Sequence, residues 1–416
     1  YTLLRGNSQQ RYFSALDEDD INVKAGLVYR LKDDVEEISN IRLGYTGRFV
    51  DDSFKATEYN LTVEHASDFP SLDGFSLDDY YNRDNLSSGW FKIQKNVDKY
   101  TVTKNIHSAY AEATYQFTSR WIVNLGLKYD YVDINVDYNV NRGGSEGSNT
   151  IRKDYFLPSL NLKYNLNEKH SLRLGASKTY TLPQAKEISP YRYVGVNFNS
   201  QGNPNLKPSD NYNFDLKWDF NPSPTELVSL TAFYKHIKDP ISRIEVASAG
   251  GYLSYENISD RATVAGVEVE IRKNLFVRPL SCAANGMNKL SFGLNGSYIY
   301  TNAKMPLATV TTGSQLEGAA PWIANFDLSH HFTRDERSFV NTLVLNYVSD
   351  KIYTIGTQGY QDIMERGLVT LDFVSQARLN KYLSLNLKAR NLLNPSHKLS
   401  RKANESGEKV VLGDYK

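Results

Sequence analysis

The sequence predicts an all-β protein, a transmembrane antiparallel β-barrel of about fourteen strands. Three observations carry that expectation. Apolar and polar side chains alternate with period two, the alternation recurs at membrane-strand length from end to end, and tight connections alternate with long ones. The segment "WIVNLGLKYDYV" (121–132) shows the first clearly. Trp121, Val123, Leu125, Leu127, Tyr129 and Tyr131 fall on one face, while Asn124, Gly126, Lys128 and Asp130 fall on the other. Between Trp121 and Tyr131, Ile122 is the single large apolar residue on the second face. The expectation is that Trp121, Leu125 and Leu127 face lipid and that Asn124, Lys128 and Asp130 face a wet lumen.

Taken in chain order, the same pattern appears first in Ile21-Val23-Ala25-Leu27-Tyr29-Leu31, then in Ile41-Leu43-Tyr45 and Ala109-Ala111-Ala113-Tyr115-Phe117. Beyond 121–132 it returns near 155–165, 170–178, 211–220, 227–235, 262–273, 289–301, 320–332, 339–349, 366–378 and 382–391. Most of these approach the roughly 9–11 residues that a tilted membrane strand requires. The ionisable sets Asp215-Lys217-Asp219 and Glu268-Glu270-Arg272 fall on inward faces, because each would cost a few kcal/mol against hydrocarbon. No amphipathic helical period competes, and no Pro/Ser linker or charge block divides the chain, so residues 1–416 read as one domain.

The connections sort by length. Tight ones are "KDDVE" after 31, "TSR" (118–120), "NLNEKH" (165–170), "NPSPTE" (221–226), "TRDERS" (333–338) and "NK" (380–381). Between them lie long ones, roughly 51–107, 133–154, 179–210, 236–261, 302–319 and 350–365; segment 274–288 is the one short-side connection that is not tight. A soluble sandwich has no reason to sort its loops this way, whereas an outer-membrane barrel has short periplasmic turns and long extracellular loops. Phe117, Trp121, Trp218, Phe220, Phe332, Phe339 and Tyr382 gather at the tight turns, where an interfacial girdle belongs.

Composition excludes more than it selects. With 48 basic and 47 acidic residues the net charge is +1, so no strong field draws the chain to nucleic acid. No run approaches the ~18 apolar residues of a membrane helix. Tyrosine is abundant, with 29 copies against 18 Phe and 4 Trp, which suits girdles and binding loops. Cys282 stands alone, so an intrachain disulfide is impossible. The chain opens at Tyr1 without an initiator Met or signal peptide, and is expected to begin inside something longer or after processing.

Six stretches together are similar to TonB-dependent outer-membrane receptors. They are "LPSLNLKYNLNEKHSLRLGASKTYTLPQ" (157–184), "GNPNLKP" (202–208), "FYKHIKDPI" (233–241), "GVEVEIRK" (266–273), "APWIANFDLSHHF" (320–332) and "ARNLLN" (389–394). The resemblance covers residues 155 to 395. It implies a 22-stranded barrel with an N-terminal plug inside it, set in the outer membrane of a Gram-negative bacterium. It further implies import of a scarce, bulky small-molecule, glycan or peptide ligand (iron chelate, cobalamin, oligosaccharide or peptide class), driven by the TonB complex, with a surface lipoprotein as a further partner. The sequence departs from the pattern in lacking a plug, a TonB-contacting segment and a terminal aromatic strand after "GEKVVLGDYK". Loop parity agrees: strands 21–31 and 382–391 both have their free ends on the long-loop side. Strands are therefore expected to be absent before and after the fourteen, which become strands eight to twenty-one.

Catalysis has little support. There is no HExxH, CxxC or GxSxG, the seven histidines are dispersed, and "RGGSEG" (142–147) lies between strands and not before a helix. No cofactor is expected. A passive porin or a surface adhesin is the alternative to an importer. Ligand-binding candidates come from two aromatic-rich loops: Tyr80, Tyr81 and Trp90 in 69–91, and Tyr191, Arg192 and Tyr193 in 189–205. These tyrosines could equally pack the loops against one another. Asp68, Asp73, Asp78 and Asp79 lack the spacing of an EF-hand, so no metal is assigned to them.

Overall fold

The computed structural model describes residues 10–31, 39–63, 82–141, 145–195, 197–246, 251–280, 286–305, 315–403 and 407–415. Six long strands come first: β1 (Gln10–Arg30), β2 (Asn40–Val63), β3 (Phe91–Gln116), β4 (Trp121–Val140), β5 (Ser145–Asn165) and β6 (His170–Thr181). A short helix α1 (Arg83–Ser87) precedes β3, and α2 (Ala185–Ile188) follows β6. Next come β7 (Arg192–Tyr193), β8 (Ser200–Gln201), β9 (Ser209–Phe220), β10 (Leu227–Lys238), β11 (Ile241–Val246) and β12 (Tyr252–Asn257). Then follow β13 (Arg261–Pro279), β14 (Met287–Ala303), β15 (Trp322–Arg334), β16 (Arg337–Val348), β17 (Lys351–Thr354) and β18 (Ile363–Glu365). Last are β19 (Leu368–Arg378), β20 (Ser384–Ala389), β21 (His397–Lys402) and β22 (Lys409–Tyr415).

Fourteen of these strands form one sheet in the order β1-β2-β3-β4-β5-β6-β9-β10-β13-β14-β15-β16-β19-β20. Every one corresponds to a segment expected from the alternation. The eight short strands all lie in the long connections or after β20. They form two rim sheets, β11-β12-β8-β7 and β17-β18-β21-β22, linked by a parallel bridge between Ile244 and Ile355.

The tight turns follow from side chains that mimic backbone. Thr118 Oγ1 accepts the amides of Arg120 and Trp121, both at 3.2 Å. Asn167 Oδ1 accepts those of Lys169 and His170 at 2.9 Å, and Asn380 Oδ1 those of Tyr382 and Leu383 at 2.8 and 2.9 Å. In "ARNLLN", Asn391 and Asn394 take positive φ (55° and 45°), a conformation Asn tolerates, and so end the strand.

One expectation is corrected. Segments 51–107 and 133–154, expected as long loops, are mostly strand: β2 runs to Val63, β3 starts at Phe91, and only 141–144 separate β4 from β5. Segment 274–288 is likewise strand as far as Pro279 and again from Met287. The ladder supplies the backbone hydrogen bonds in water as well as in lipid, so a strand continues for as long as its partner does.

These extensions carry a phase change. On β4, the odd residues from Trp121 to Tyr131 are the exposed apolar face, with Leu125 54% and Leu127 51% exposed. The even face holds Asn124, which donates to Glu112 Oε1 and to Thr114 Oγ1 at 2.8 Å, and Lys128, paired to Asp130 at 2.8 Å. Above residue 131 the faces exchange character. Val132, Ile134 and Val136 on the even face are fully buried, while Asp133, Asn135 and Asp137 take the odd face. The unbroken outward run of apolar or aromatic residues that starts at the tight turns ends at Ile21 on β1, Phe49 on β2, His107 on β3, Tyr131 on β4 and Phe156 on β5, each followed by Asp or Asn on the same face. In the hydrogen-bonded register this level drifts by four residues over the four strand-to-strand steps. At about 3.3 Å per residue and 4.8 Å per strand, that is a tilt of roughly 35°, the value expected for a membrane barrel.

Aromatic girdles mark both ends of the apolar belt. At the tight-turn end Trp121 stacks on Tyr164 (4.3 Å), Tyr115 meets Phe117 edge-on (4.8 Å), and His170 stacks on Phe220 (4.4 Å). At the upper level His107 contacts Phe49 (5.3 Å) and Tyr45, whose hydroxyl is 2.8 Å from its Nδ1, and Tyr129 contacts Phe156 (5.2 Å). Two girdles bounding an apolar band are the signature of a bilayer-spanning wall.

Candidate functional site

Above the upper girdle, the inner face of β2 to β5 becomes an apolar collar. Phe54 and Ala56, Tyr100 and Val102, the β4 valines and Ile134, and Tyr155 form one buried cluster with Ile188, Tyr191 and Leu206 from the β6–β9 connection. That connection is thus folded inward against the wall. Tyr191 anchors it, with its ring 4.7 Å from Phe54 and 5.1 Å from Tyr100, and Phe54 stacked on Tyr100 at 4.8 Å. Burial pushes the Tyr100 hydroxyl up to about 12 and raises Tyr191 further. Burying Ile188, Tyr191 and Leu206 contributes about 1.5–3 kcal/mol each, which is what holds the segment in place.

The "GNPNLKP" motif sets the backbone of this inward fold. A Cβ on Gly202 would lie 2.2 Å from the Ser189 carbonyl oxygen and 2.6 Å from that of Lys186, so only glycine lets the chain pass the α2 turn. Asn203 then donates its amide to Glu187 O (2.6 Å) and its side chain to Tyr255 O (2.9 Å). Asn257 closes the motif by accepting from the Lys207 amide (2.8 Å) and donating to Lys207 O (2.9 Å). The sequence-level reading of the motif as a turn before β9 holds, and the turn also docks the β11–β12 hairpin.

A charged cluster sits beside the aromatic anchor. The Lys186 ammonium lies 3.9 Å from the Tyr193 ring centroid, and Tyr193 meets Tyr12 edge-on at 6.0 Å. Burial, with the Arg243 charge adding to it, holds Lys186 below the ordinary lysine range; burial likewise lifts Glu187, against the Gln184 amide that donates to it at 2.8 Å. Arg243 donates to Glu317 Oε1 through Nη2 (2.8 Å) and Nε (3.1 Å), and lies 4.3 Å from the Tyr353 ring centroid. Burial opposes the Arg243 charge, but Glu317 outweighs it and the pKa is raised. Aromatic faces beside fixed charges, held on a rigid wall, can grip a large ligand that is part apolar and part charged.

A protein-family model described as TonB dependent receptor-like, beta-barrel, matches residues 3–392. The chain belongs to that family. One curated relative is the iron-regulated outer membrane virulence protein of Vibrio cholerae serotype O1, 25% identical over 228 residues, covering 52% of this chain and 32% of the relative. Among solved structures the fold is shared with the ferric yersiniabactin uptake receptor FyuA of Yersinia pestis (TM-score 0.54, 13% identity, 97% of this chain and 57% of that one). It is shared also with the siderophore receptor PiuA of Acinetobacter baumannii (TM-score 0.58, 14% identity, 92% and 53%). The chain therefore spans little more than half the length of those structures and about a third of the curated relative.

Within this receptor barrel the sequence-predicted binding residues separate. Tyr191 is committed to packing, only 3% exposed. Arg192 and Tyr193 are half-buried in β7 next to the charged cluster, and Trp90 is half-buried just ahead of β3. Tyr80 and Tyr81 lie outside the described residues, as do Asp68, Asp73, Asp78 and Asp79. Among the described residues no group of three or more His, Cys, Asp or Glu could hold a metal ion. Lys186, Arg243, Tyr255, Glu317 and Tyr353 were not singled out by sequence. Their only signal was the "LPQAKEISPYRY" context (182–193), since the Arg243–Glu317 pair spans 74 positions.

Proposed function

We propose that the chain forms the greater part of the wall of a TonB-coupled outer-membrane importer in a Gram-negative bacterium, with the collar as its extracellular vestibule. Transport, and not catalysis, is the activity. The observation that carries this reading is the collar: β2 to β5 rise roughly 25–45 Å past the upper girdle at about 3.3 Å per residue, with an inner face that changes from polar to apolar and aromatic. A passive pore has no use for such a wall, whereas a receptor that captures a scarce, bulky ligand before moving it inward does. An iron chelate is the favoured ligand class, supported by the siderophore receptors among its structural neighbours. Arg192, Tyr193 and Trp90, with Tyr80 and Tyr81, contact it from the loops, beside Lys186 and Arg243. Among the described residues β1 pairs only with β2, and β20 only with β19. An open edge in lipid leaves backbone groups unsatisfied at several kcal/mol each, so further strands close the wall, and a plug occupies its lumen. The TonB complex acts through that plug, and a surface lipoprotein serves as an accessory at the rim.

The test is uptake of radiolabelled ferric citrate, hydroxamate and catecholate chelates in cells that carry or lack the gene. Uptake of one chelate class that requires the gene and stops on adding a protonophore is expected. Gene-dependent diffusion of small solutes that ignores the protonophore would replace the importer with a porin. Adhesion without uptake would leave an adhesin.

A further inference from the structure

The rim sheet β17-β18-β21-β22 holds a second site, separate from the aromatic collar. Its cavity, about 270 Å³, shares no lining residue with the collar cluster and is lined by Arg366, Arg401, Lys402 and Lys409, with Asp350 and Asp362 as its carboxylates. Most of the charge there is already matched. Arg366 donates to Asp350 at 2.8 Å, and Asp350 also accepts the Gly367 amide at 2.7 Å. Arg401 is paired with Glu245 across the rim, and Asp362 accepts the Gly356 amide at 2.8 Å. The two lysines form no ion pair with a described residue, although Asp350 lies close enough to Lys409 for their charges to interact. Lys402 and Lys409 are direct cross-strand partners in the β21–β22 register, so their side chains emerge together on one face. Neither has a carboxylate within ion-pairing distance among the described residues. Like charges placed directly opposite each other on a sheet are destabilising, an effect that solvent softens here because both lysines are exposed and that a bound anion would relieve. The Arg401 Nε is in addition buried without a hydrogen-bond partner.

Two facing ammonium groups backed by two guanidinium groups are the chemistry that grips a multiply charged oxyanion, the forks giving geometry and the lysines point charge. Size narrows the ligand. Pockets for drug-sized molecules run from about 300 to 1,000 Å³, so this one takes a headgroup and not a bulky chelate. We propose that Lys402 and Lys409, with Arg366 and Arg401, form a binding site for a phosphate or pyrophosphate group at the receptor rim. The group comes either from a phosphorylated lipid headgroup of the surrounding leaflet or from a free phosphate in solution. The site does not depend on the import reading and stands or falls separately from it.

The experiment titrates inorganic pyrophosphate into the detergent-extracted receptor at low ionic strength by calorimetry. In parallel, micelles doped with lipid A or with its dephosphorylated form are assayed for co-purification. Four proteins are compared: wild type, K402Q, the K402Q/K409Q double variant, and K381Q, which removes a lysine at a tight turn on the opposite side of the membrane. Wild type and K381Q should bind at least tenfold more tightly than the double variant, and binding should weaken as salt is added. Whichever probe binds should also raise the melting temperature of wild type but not of K402Q. Binding of both probes identifies a free-phosphate site that also takes headgroups; binding of lipid A alone identifies the headgroup as the source. If neither probe distinguishes wild type from the double variant, or if dephosphorylated lipid A binds as well as lipid A, the site is overturned.

Discussion

An arginine scan of three positions on β4 tests the placement of the membrane in energetic terms. From Trp121 to Tyr131 the apolar face covers about 33 Å of strand at roughly 3.3 Å per residue, or about 27 Å of height at the tilt of roughly 35°, close to the thickness of an outer-membrane apolar band. Leu125 and Leu127 flank the middle of that span, so Leu125→Arg places a charge near the bilayer midplane and should cost about 2–4 kcal/mol. Asn124→Arg, one residue away on the opposite face, loses the hydrogen bonds to Glu112 and Thr114 but gains a carboxylate neighbour; a cost of about 1 kcal/mol is expected. Asn135→Arg shares the face of Leu125 but lies above the phase change, between Asp133 and Asp137, and should stay within about 0.5 kcal/mol of wild type. Urea unfolding from phospholipid vesicles, followed by tryptophan fluorescence, reads all three. Equal penalties at 125 and 135 would refute the boundary at Tyr131, and equal penalties at 124 and 125 would refute the assignment of faces.

The collar gives three further expectations. Tyr191→Ala empties the centre of the aromatic cluster and should cost about 3–5 kcal/mol, seen as faster amide exchange across 185–208 and in β7 while the belt strands stay protected. Gly202→Ala forces a Cβ against the Ser189 and Lys186 carbonyls and should loosen the same segment by about 1–3 kcal/mol; unchanged exchange would remove the motif's close approach from the argument. The raised pKa of Glu187 means that its neutral form is more favoured in the folded than in the unfolded protein. Its stabilising effect is fully present below the unfolded carboxylate value and is lost as pH rises through the folded one. Glu187→Gln should therefore slow exchange of α2 at pH 7 relative to wild type and leave it unchanged near pH 4.

The belt was legible because period two is a strong local signal, and lipid on one side with water on the other keeps its parity constant. All fourteen sheet strands, and the girdle at the tight turns, came from that signal. The extensions were missed because their parity inverts: Tyr131 and Val132, adjacent and both large, mark the point where the apolar face moves from outside to inside. Read with parity fixed, "VDINVDYNV" ends a strand; read with the face allowed to change medium, it continues one. The rim sheets had no local signal. The β12–β8 pairing joins Leu253 to Ser200, and the β18–β21 pairing joins Met364 to Ser400, contacts set by tertiary closeness between runs too short to show a period. The same holds for the Arg243–Glu317 pair, whereas the aromatic anchor Tyr191 stood out by composition although its role is packing.

The central claim is that one continuous wall crosses the bilayer and then rises above it with its faces exchanged. Cysteine scanning of residues 121–140 on a Cys282→Ser background, with a nitroxide at each position, tests it most directly. Oxygen, concentrated in lipid, and a water-soluble nickel chelate serve as the two relaxation agents. Odd positions from 121 to 131 should relax with oxygen, odd positions from 133 to 139 should relax with the nickel chelate, and even positions from 132 to 136 should be shielded from both. An odd face that stays oxygen-accessible through 139, or even positions at 132–136 as open to nickel as 137, would contradict the account.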